Sequence, residues 1–392
     1  MIFSAPLGPG HVARQHVCRA GEQLLWATYR QTFYYAVDGL DKLGAPSKSL
    51  LTRGLSAVGR GAGDLALTFV AGGGDSGDDK APEADHLVFG PSGDSLAVRL
   101  LSRFEAGRRS NRLWALTSTR LVIAHRVVAP PPEPEPEPEP KSLLGKAIGL
   151  GKDIGKMLQV DFRMKFGEHV EGEPVAVPKY EVTMEIPRAQ IASVESGPTL
   201  RVVLVDGSGF ELLVPPPVST QDKIVAKELT KFWLRRGENL VLGLPPVFGY
   251  VGGVVGGSLH VPWQPVSEMP PLSLDKLRWP LPAPPSPQDW IDDPTLGYWV
   301  EGAGASSMAV QFADHFAFSR GNGRLAVSDQ RVAVVYPTHL FEAKPSSVFT
   351  TFAEIPSSAV RLEPVHVGAS LPFASVVRLS FADGSRLDIR QP

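Results

Sequence analysis

Runs of apolar and β-branched residues, each broken by a short polar turn, occur in two distant parts of the chain. One run spans residues 113–126 around a turn at 117–119, and the other spans residues 325–336 around a turn at 328–330. Apolar stretches on both sides of a polar turn are typical of antiparallel strand pairs. Further along, Asp206-Gly207 and Asp383-Gly384 each stand between short apolar runs, and Asp-Gly favours the positive φ of a hairpin turn. The pattern therefore predicts an antiparallel meander that ends in a hairpin, twice.

The two meanders belong to an internal repeat. Three short motifs occur in the same order in both copies: a strand motif ending at Arg120 and Arg331, a Glu-Ile-Pro motif ending at Pro187 and Pro356, and the Asp-Gly hairpins at Asp206 and Asp383. The copies of these motifs are 211, 169 and 177 residues apart, so the first copy holds 42 extra residues between its first two motifs. The extra sequence lies in a Pro-Glu tract at 129–140 and in the segment 141–180. We interpret residues 129–180 as an arm inserted into the first copy.

Helical patterns flank the repeat. Residues 219–236 have apolar side chains at helical spacing, hydroxyl residues that can cap the start, and Arg and Gly at the end, so we expect a helix that packs on the first copy. Two N-terminal stretches, 22–43 and 48–70, also have helical spacing. The second copy has no closing helix of its own, so another element such as the N-terminal helical segment is expected to cover its open end.

The region between the copies, residues 237–297, is rich in Pro, Gly and Trp and is predicted to be a linker. Its residues 240–261 carry no Asp, Glu, Lys or Arg and approach the length of a membrane-spanning helix. Glycine and proline are poor helix formers, however, and both are frequent here. We therefore interpret this stretch as a packed apolar linker.

The motif order resembles that of bacterial pleckstrin-homology-like (PH-like) and GRAM-like domains over residues 85–236 and 298–392. The shared features are a Leu-Thr-x-x-Arg-Leu turn between two strands, a later Pro-led apolar stretch, an Asp-Gly hairpin and a closing helix. The resemblance implies a mainly β fold with some α. It would contain two PH-like, partly open β-barrels, the first with a C-terminal capping helix, and would bind lipids or proteins without catalysis. The expected organisation is an N-terminal helical region at 1–80, a first domain at 85–236 with the arm at 129–180, the linker at 237–297, and a second domain at 298–392.

Charge and cysteine content narrow the possible partners. The chain has 39 basic and 41 acidic residues and a formal charge of −2, whereas a dedicated nucleic-acid binder normally has a net basic domain. We therefore expect no nucleic-acid partner. Cys18 is the single cysteine, which excludes an intrachain disulfide or a thiolate zinc cluster and favours a reducing compartment. Residues 1–10 lack the continuous apolar run of a secretory signal. The expected location is the cytoplasm, with peripheral attachment to the inner face of the membrane as the alternative.

Enzyme signatures are absent from the sequence. No serine has glycines on both sides at the spacing of a nucleophile elbow, no His-Glu-x-x-His occurs, and no Gly-rich loop ends in Gly-Lys-Ser or Gly-Lys-Thr. We therefore expect a protein that is not an enzyme, with no catalytic residues, no metal site and no cofactor.

The arm carries the most specific binding signal, at residues 141–158. On a helical wheel its apolar side chains share one face, and Lys146, Lys152 and Lys156 lie on the opposite face. A basic amphipathic helix suits an anionic membrane surface. Its four glycines weaken an isolated helix, so we expect it to fold against a membrane, a partner protein or the protein's own domains. The predicted contact residues are Leu143, Leu144, Lys146, Ile148, Lys152, Ile154, Lys156 and Leu158.

Arginines before the first repeat motif form a second candidate site. The guanidinium group binds phosphate through two parallel donors, and the resemblance implies that this strand-to-strand loop contacts phosphorylated headgroups. The alternative is that these arginines are only solvated on an exposed loop. The candidates are Arg108, Arg109 and Arg112 in the first copy and Arg320 and Arg324 in the second.

Together these patterns predict a non-enzymatic binding or scaffolding protein. The leading hypothesis is a peripheral membrane adaptor that docks the arm on anionic lipid. The alternative is a soluble subunit of a protein assembly, which includes a homo-oligomer. A small-ligand carrier or an unrecognised enzyme is less favoured, because it would need polar side chains that converge inside a barrel whose strands look apolar.

Overall fold

The structure is a computed structural model that describes residues 6–47, 83–127, 165–166, 169–214, 223–269, 279–284, 287–341 and 347–391. It consists of two similar halves, which we call the first half (residues 6–214) and the second half (residues 223–391). The predicted mainly β fold with some α-helix is confirmed. The described strands form separate sheets and no closed barrel.

The first half contains, in chain order, α1 (Pro9–His16), β1 (Leu24–Arg30), β2 (Phe33–Val37), β3 (His86–Gly90), α2 (Leu96–Leu101), β4 (Arg112–Thr117), β5 (Arg120–Arg126), β6 (Lys165–Phe166), β7 (His169–Val170), β8 (Tyr180–Pro187), β9 (Ile191–Ser196), β10 (Thr199–Leu204) and β11 (Gly209–Leu213).

The second half contains α3 (Lys223–Phe232), β12 (Leu240–Gly243), β13 (Tyr250–Val255), β14 (Ser258–His260), β15 (Leu296–Gly302), α4 (Met308–Ser319), β16 (Arg324–Ser328), β17 (Arg331–Pro337), β18 (Phe349–Pro356), β19 (Val360–Val367), β20 (Ala374–Phe381) and β21 (Arg386–Arg390). Short 3-10 turns lie at Arg188–Gln190, Pro287–Asp292, Thr338–Leu340 and Ser357–Ala359.

Both halves have the same sheet topology. In the first half a four-stranded sheet, β1-β4-β5-β8, packs against a five-stranded sheet, β2-β3-β11-β10-β9. In the second half the corresponding sheets are β12-β16-β17-β18 and β14-β13-β15-β21-β20-β19, in which β14 is an added edge strand. The pairs β2–β3 and β13–β15 are both parallel, whereas the other pairs in these sheets are antiparallel. The main core of each half lies between its two sheets.

The two Asp-Gly hairpins cap the helix inside each half. Gly207 and Gly384 have φ values of 79° and 80°, a region that glycine enters without steric cost. The turn residues accept hydrogen bonds from the first N–H groups of α2 and α4, which have no partner within the helix. These bonds are Leu96 N to Asp206 Oδ2 at 2.6 Å, Ala97 N to Ser208 Oγ at 3.0 Å, Met308 N to Asp383 Oδ2 at 2.7 Å, and Ala309 N to Ser385 Oγ at 3.0 Å.

The helix expected to close the first half packs on the second half instead. Val225 and Leu229 of α3 form a cluster with Ala326, Ala333 and Val335, on the outer face of the four-stranded sheet of the second half. In the first half, α1 covers the corresponding face. Each half therefore begins with an outer helix. The apolar face of residues 219–236 predicted the helix but could not show which of two similar sheets it would cover.

Two further sequence expectations differ from the structure. Residues 22–43, expected to be helical, contain β1 and β2, because aromatic and apolar residues are buried on both faces of these strands. Residues 237–297, expected to be a linker, contain β12, β13 and β14 of the second half, and these strands include most of the uncharged stretch 240–261. The other predicted N-terminal helix, at 48–70, lies outside the described residues.

The inserted arm lies in one hairpin connection of the first half. Between Arg126 at the end of β5 and Tyr180 at the start of β8 there are 53 residues, whereas Pro337 and Phe349 at the ends of β17 and β18 have 11 between them. The difference is the 42 residues that the motif spacing indicated. The returning end of the arm pairs with a segment of the second half, through Val175 N to Leu281 O at 2.9 Å and Leu281 N to Glu173 O at 2.8 Å.

The two halves contact each other along β1 and α1. Ala27 in β1 donates its N–H to Ala369 O at 2.7 Å, and Leu371 N donates to Ala27 O at 2.8 Å, so residues 369–371 continue the first half's sheet. At the start of α1, His11 N donates to Asp292 Oδ2 at 2.9 Å. These hydrogen bonds join the two halves, two of them between backbones and one from a backbone N–H to a carboxylate.

Candidate functional site

The structure does not bring the five predicted arginines into one site. Arg108 and Arg109 are exposed in the loop after α2, and Arg108 Nη1 lies 3.0 Å from Glu105 Oε2. Arg320 follows α4 in the left-handed conformation, with a φ of 51°. Arg112 and Arg324 stand at the starts of β4 and β16.

Arg112 and Arg324 point to opposite faces of their sheets. Arg112 lies eight residues before Arg120, whereas Arg324 lies seven residues before the equivalent Arg331. Because side chains alternate between the faces of a strand, this difference of one residue places Arg112 inside and Arg324 outside. Arg324 Nη1 donates to Glu228 Oε2 of α3 at 2.8 Å. The two arginines are therefore not equivalent, although their sequence motifs match.

A pocket of about 390 Å³ lies beside Arg108. Its walls include Tyr34, Lys42 and Glu105. Glu105 is paired with Arg108, and both side chains are more than two-thirds exposed. An exposed ion pair of this kind contributes little to binding or stability, so this pocket offers only weak attraction for an anion.

A stronger concentration of charge lies inside the first half, at one end of the core. Arg30, the last residue of β1, is directly opposite Arg112, the first residue of β4, in the antiparallel register. The residues are 6% and 3% exposed, respectively. Directly opposite like charges repel each other across a strand pair, so this arrangement is unfavourable unless a negative charge lies nearby.

Asp85 and His86 at the start of β3 complete the group. His86 is fully buried, and its Nδ1 lies 2.6 Å from Asp85 Oδ1. Burial lowers the pKa of His86 below its usual value, and the charges of Arg30 and Arg112 lower it further, against the raising effect of Asp85. The ring is therefore neutral at pH 7. We call Arg30, Asp85, His86 and Arg112 the cationic cluster.

The carboxylate of Asp85 is already used by the protein. It accepts hydrogen bonds from the backbone N–H groups of Gln31 and Thr32 as well as from His86. Burial favours a higher pKa for Asp85, but these hydrogen bonds and the charge of Arg30 outweigh it and hold the pKa below its usual value. Asp85 thus stays ionised, and the cluster contains two positive charges against one negative charge.

Two aromatic rings fix the position of Arg112. Its guanidinium carbon lies 5.3 Å from the centre of the Phe33 ring and 5.2 Å from that of Phe104, distances at which a cation is attracted to a ring face. Its Nη1 donates to Gln31 O at 3.2 Å. The cation is held by rings and a backbone carbonyl rather than by a carboxylate.

The same position in the second half carries no charge. The strand registers place Gly323 where Arg112 stands and Tyr298 where His86 stands, and counting along β12 places Pro246 where Arg30 stands. Tyr298 donates to Val247 O at 2.8 Å and stacks on a phenylalanine of α4. The cationic cluster is thus a feature of the first half alone and is not part of the repeated scaffold.

Another buried charge group does repeat, and it is structural. Arg120 in β5 donates Nε and Nη2 to the Glu22 carboxylate at 2.9 and 3.0 Å and Nη2 to Val17 O at 2.9 Å. Arg331 in β17 makes the same set of bonds to Glu238 and to a backbone carbonyl at the end of α3. Because each pair joins an outer helix to its sheet in both halves, these arginines have a structural role.

Sequence reasoning missed Arg30, Asp85 and His86. The available signal was the alternation Trp26, Thr28, Arg30, which places an arginine on the same face as a large apolar residue. The eight predicted contact residues of the arm, Leu143 to Leu158, lie outside the described residues, and their role remains a prediction.

Within the described ranges, every helix is too short or too polar to cross a membrane. The same ranges contain no group of three or more His, Cys, Asp or Glu side chains placed to hold a metal ion. Comparison with known proteins found no matching family model, no matching curated protein and no matching solved structure.

Proposed function

We propose that this protein is a non-enzymatic binding or scaffolding protein, in which two modules resembling PH-like domains carry the inserted arm as a peripheral membrane adaptor. The observation that carries the proposal is the duplication itself. The same sheets, outer helix, internal helix and hairpin cap occur in both halves. The buried ion pairs that both halves share, Arg120–Glu22 and Arg331–Glu238, join an outer helix to its sheet. The shared parts therefore form a scaffold, and we assign binding to the parts that the halves do not share.

The base of the arm supports a docking role. The arm leaves at the end of β5 and returns to β8 of the first half, where Val127 N donates to Lys179 O at 2.9 Å. On its return it also contacts the second half, where Gly172 N donates to Trp279 O at 2.9 Å. A segment anchored at both ends to a rigid body transmits its attachment to that body. Docking of residues 141–158 on a membrane would therefore position both modules at the surface.

Co-sedimentation with anionic vesicles tests the membrane role. The intact chain should bind vesicles that contain phosphatidylserine and should not bind vesicles of phosphatidylcholine alone, and a chain lacking residues 141–158 should lose the binding. A variant in which Lys146, Lys152 and Lys156 are changed to Gln keeps the apolar face and should bind more weakly, since each lysine near an anionic surface contributes about 1 kcal/mol. Binding that is absent, or that the deletion leaves unchanged, would contradict the proposal.

The assembly alternative is read from the same samples. If light scattering gives a multiple of the chain mass for the intact protein and a single chain mass for the deletion variant, the soluble assembly is favoured. In that case the arm docks in another copy of the chain. A single chain mass in both samples, together with vesicle binding, supports the membrane adaptor.

A further inference from the structure

We propose that the cationic cluster of the first half binds a phosphoryl group between the guanidinium groups of Arg30 and Arg112. This inference goes beyond the scaffolding role above and does not depend on the arm. It concerns a group of buried charged side chains that the first half has and that the second half lacks at the equivalent position.

Buried donors in the cluster have no partner within the described chain. Arg30 Nε and Nη2 and Arg112 Nε are buried and donate to no atom of the described chain. A guanidinium group keeps its proton in a protein, and a buried charge is unfavourable unless it is paired and hydrogen-bonded. Two such groups that face each other across one strand pair therefore provide the donors that an oxyanion needs.

The cluster also carries a net positive charge. Arg30 and Arg112 are positive, Asp85 is negative and His86 is neutral, which leaves the cluster with a net charge of +1. His125, which is opposite Arg112 in β5, also has its pKa lowered by burial and by Arg112, so it adds no positive charge at neutral pH. One bound monoanion, such as dihydrogen phosphate or a protonated phosphate monoester, would thus neutralise the site.

Arg112 is held in position by aromatic rings before any ligand binds. Phe33 and Phe104 hold the guanidinium carbon of Arg112 at 5.3 and 5.2 Å from their ring centres, and its Nε–H has no acceptor in the described chain. Planar donors of this kind match the oxygens of a phosphoryl group. Since aromatic contacts do not neutralise the charge, Arg112 is positioned without being paired.

His86 makes phosphate a better fit than sulfate. An ionised carboxylate only accepts hydrogen bonds, so the bond to Asp85 places the proton of the neutral ring on Nδ1 and leaves Nε2 as an acceptor. His86 Nε2 is buried and has no partner in the described chain. Hydrogen phosphate or a protonated phosphate monoester carries a hydroxyl that can donate to this nitrogen, whereas sulfate carries none at neutral pH.

The experiment titrates the full chain with inorganic phosphate at constant ionic strength, by calorimetry and by thermal unfolding, with sodium chloride and sodium sulfate as reference salts. Phosphate should bind at saturable stoichiometry and raise the melting temperature above that in either reference salt. The variant Arg30→Gln should weaken phosphate binding by about tenfold or more, the scale of one lost charge-assisted hydrogen bond. Arg112→Lys keeps the charge but loses the planar donors, and should also weaken it.

Arg324→Gln is the matched control. Arg324 lies at the start of the equivalent strand and also packs on a phenylalanine ring, at 5.3 Å, but it faces outward and is paired with Glu228. Its substitution should leave phosphate binding unchanged. Without phosphate, Arg30→Gln should melt no lower than the native chain, since it removes a repulsion. A residue with a purely structural role would instead lower the melting temperature and leave phosphate binding unchanged.

A second experiment, with phosphatidate vesicles, distinguishes a soluble phosphate from a lipid headgroup. If the vesicles bind the native chain but not Arg30→Gln, and inorganic phosphate displaces them, the ligand is a lipid headgroup. If phosphate binds but vesicle binding does not depend on Arg30, the ligand is a soluble phosphate. Vesicle binding that requires residues 141–158 but not Arg30 belongs to the adaptor role, so the two proposals fail separately. An absence of phosphate-specific stabilisation, equal binding of sulfate, or full affinity in Arg30→Gln would overturn the inference.

Discussion

Replacing Arg331 with methionine should destabilise the second half by about 3–5 kcal/mol, the usual cost of removing one partner of a buried ion pair. The Arg331 and Glu238 side chains are 6% and 2% exposed, and Nε lies 2.8 Å from Glu238 Oε1. Arg331 also donates Nη2 to Trp233 O at 2.9 Å and Nη1 to Glu354 Oε2 at 2.7 Å, and its guanidinium carbon lies 4.0 Å from the centre of the Trp233 ring. Methionine fills much of the volume but leaves the Glu238 carboxylate buried without its cation.

The loss of unfolding free energy caused by Arg331→Met should become smaller as the pH falls. Hydrogen bonding from Arg331 holds the pKa of Glu238 below its usual value of 4.5 in the folded chain. A carboxyl group with a lowered folded pKa contributes stability that is present above its unfolded pKa and is lost as the pH falls through the folded value. The difference in unfolding free energy between the native chain and Arg331→Met should therefore be largest near neutral pH and shrink below about pH 4.5.

Urea unfolding followed by tryptophan fluorescence measures the difference, with Arg361→Met as the matched control. Arg361 lies on β19 of the same half, is paired with Glu363 at 2.9 Å, and its side chain is 77% exposed, so its loss should cost about 0–1 kcal/mol. Adding Glu238→Gln to Arg331→Met should recover part of the loss by removing the unpaired charge. An Arg331→Met cost no larger than that of the control would refute the reasoning.

Three further outcomes test the helix cap and the contact between the halves. Asp383→Ala removes the hairpin carboxylate that accepts the first N–H of α4, and should lower the unfolding free energy by about 1 kcal/mol, measured by urea unfolding. Burial raises the pKa of Asp292 to about 6. The stability that its protonated form contributes is therefore fully present below the unfolded pKa of 3.8 and is lost as the pH rises through about 6. In melting scans across this range, the melting temperature of the native chain should fall with rising pH, and that of Asp292→Asn should fall less. Gly10→Ala would place a Cβ 2.6 Å from Asp292 Oδ2 and 3.0 Å from Ser370 Oγ, and should cost about 1–3 kcal/mol, whereas Gly304→Ala, which meets nothing within 4 Å, should leave the melting temperature nearly unchanged.

Local sequence patterns were sufficient to predict the meander strands and both hairpins. The turn residues that make Asp206 and Asp383 hairpin signals also give the Gly207 and Gly384 conformations seen in the structure. The motif spacing also predicted the length of the insertion, because spacing does not depend on how the chain packs. The same patterns could not show that α3 belongs to the second half, since an apolar helix face fits either of two similar sheets.

The cationic cluster depends on long-range pairing, which a single sequence does not show. Arg30 and Arg112 become neighbours only because β1 pairs with β4. Asp85 and His86 join them because β3 and β4 lie in sheets that face each other. Each of these residues, taken alone in the sequence, is typical of an exposed strand end or a loop.

Strand positions distinguish the residues of the shared scaffold from those of the candidate site, whereas similarity of the sequence motifs does not. Aligned on their first letters, the motifs at Arg112 and Arg324 suggest two equivalent arginines, but aligned on Arg120 and Arg331 they place Leu113 against Arg324 and leave Arg112 against Gly323. Since faces alternate along a strand, a single residue of spacing moves an arginine from the outer helix contact to the interior. Arg120 and Arg331 occupy equivalent positions in the repeat and belong to the shared scaffold. Arg112 has no charged equivalent in the second half, so the two halves have diverged at this position. We therefore expect a ligand in the interior of the first half.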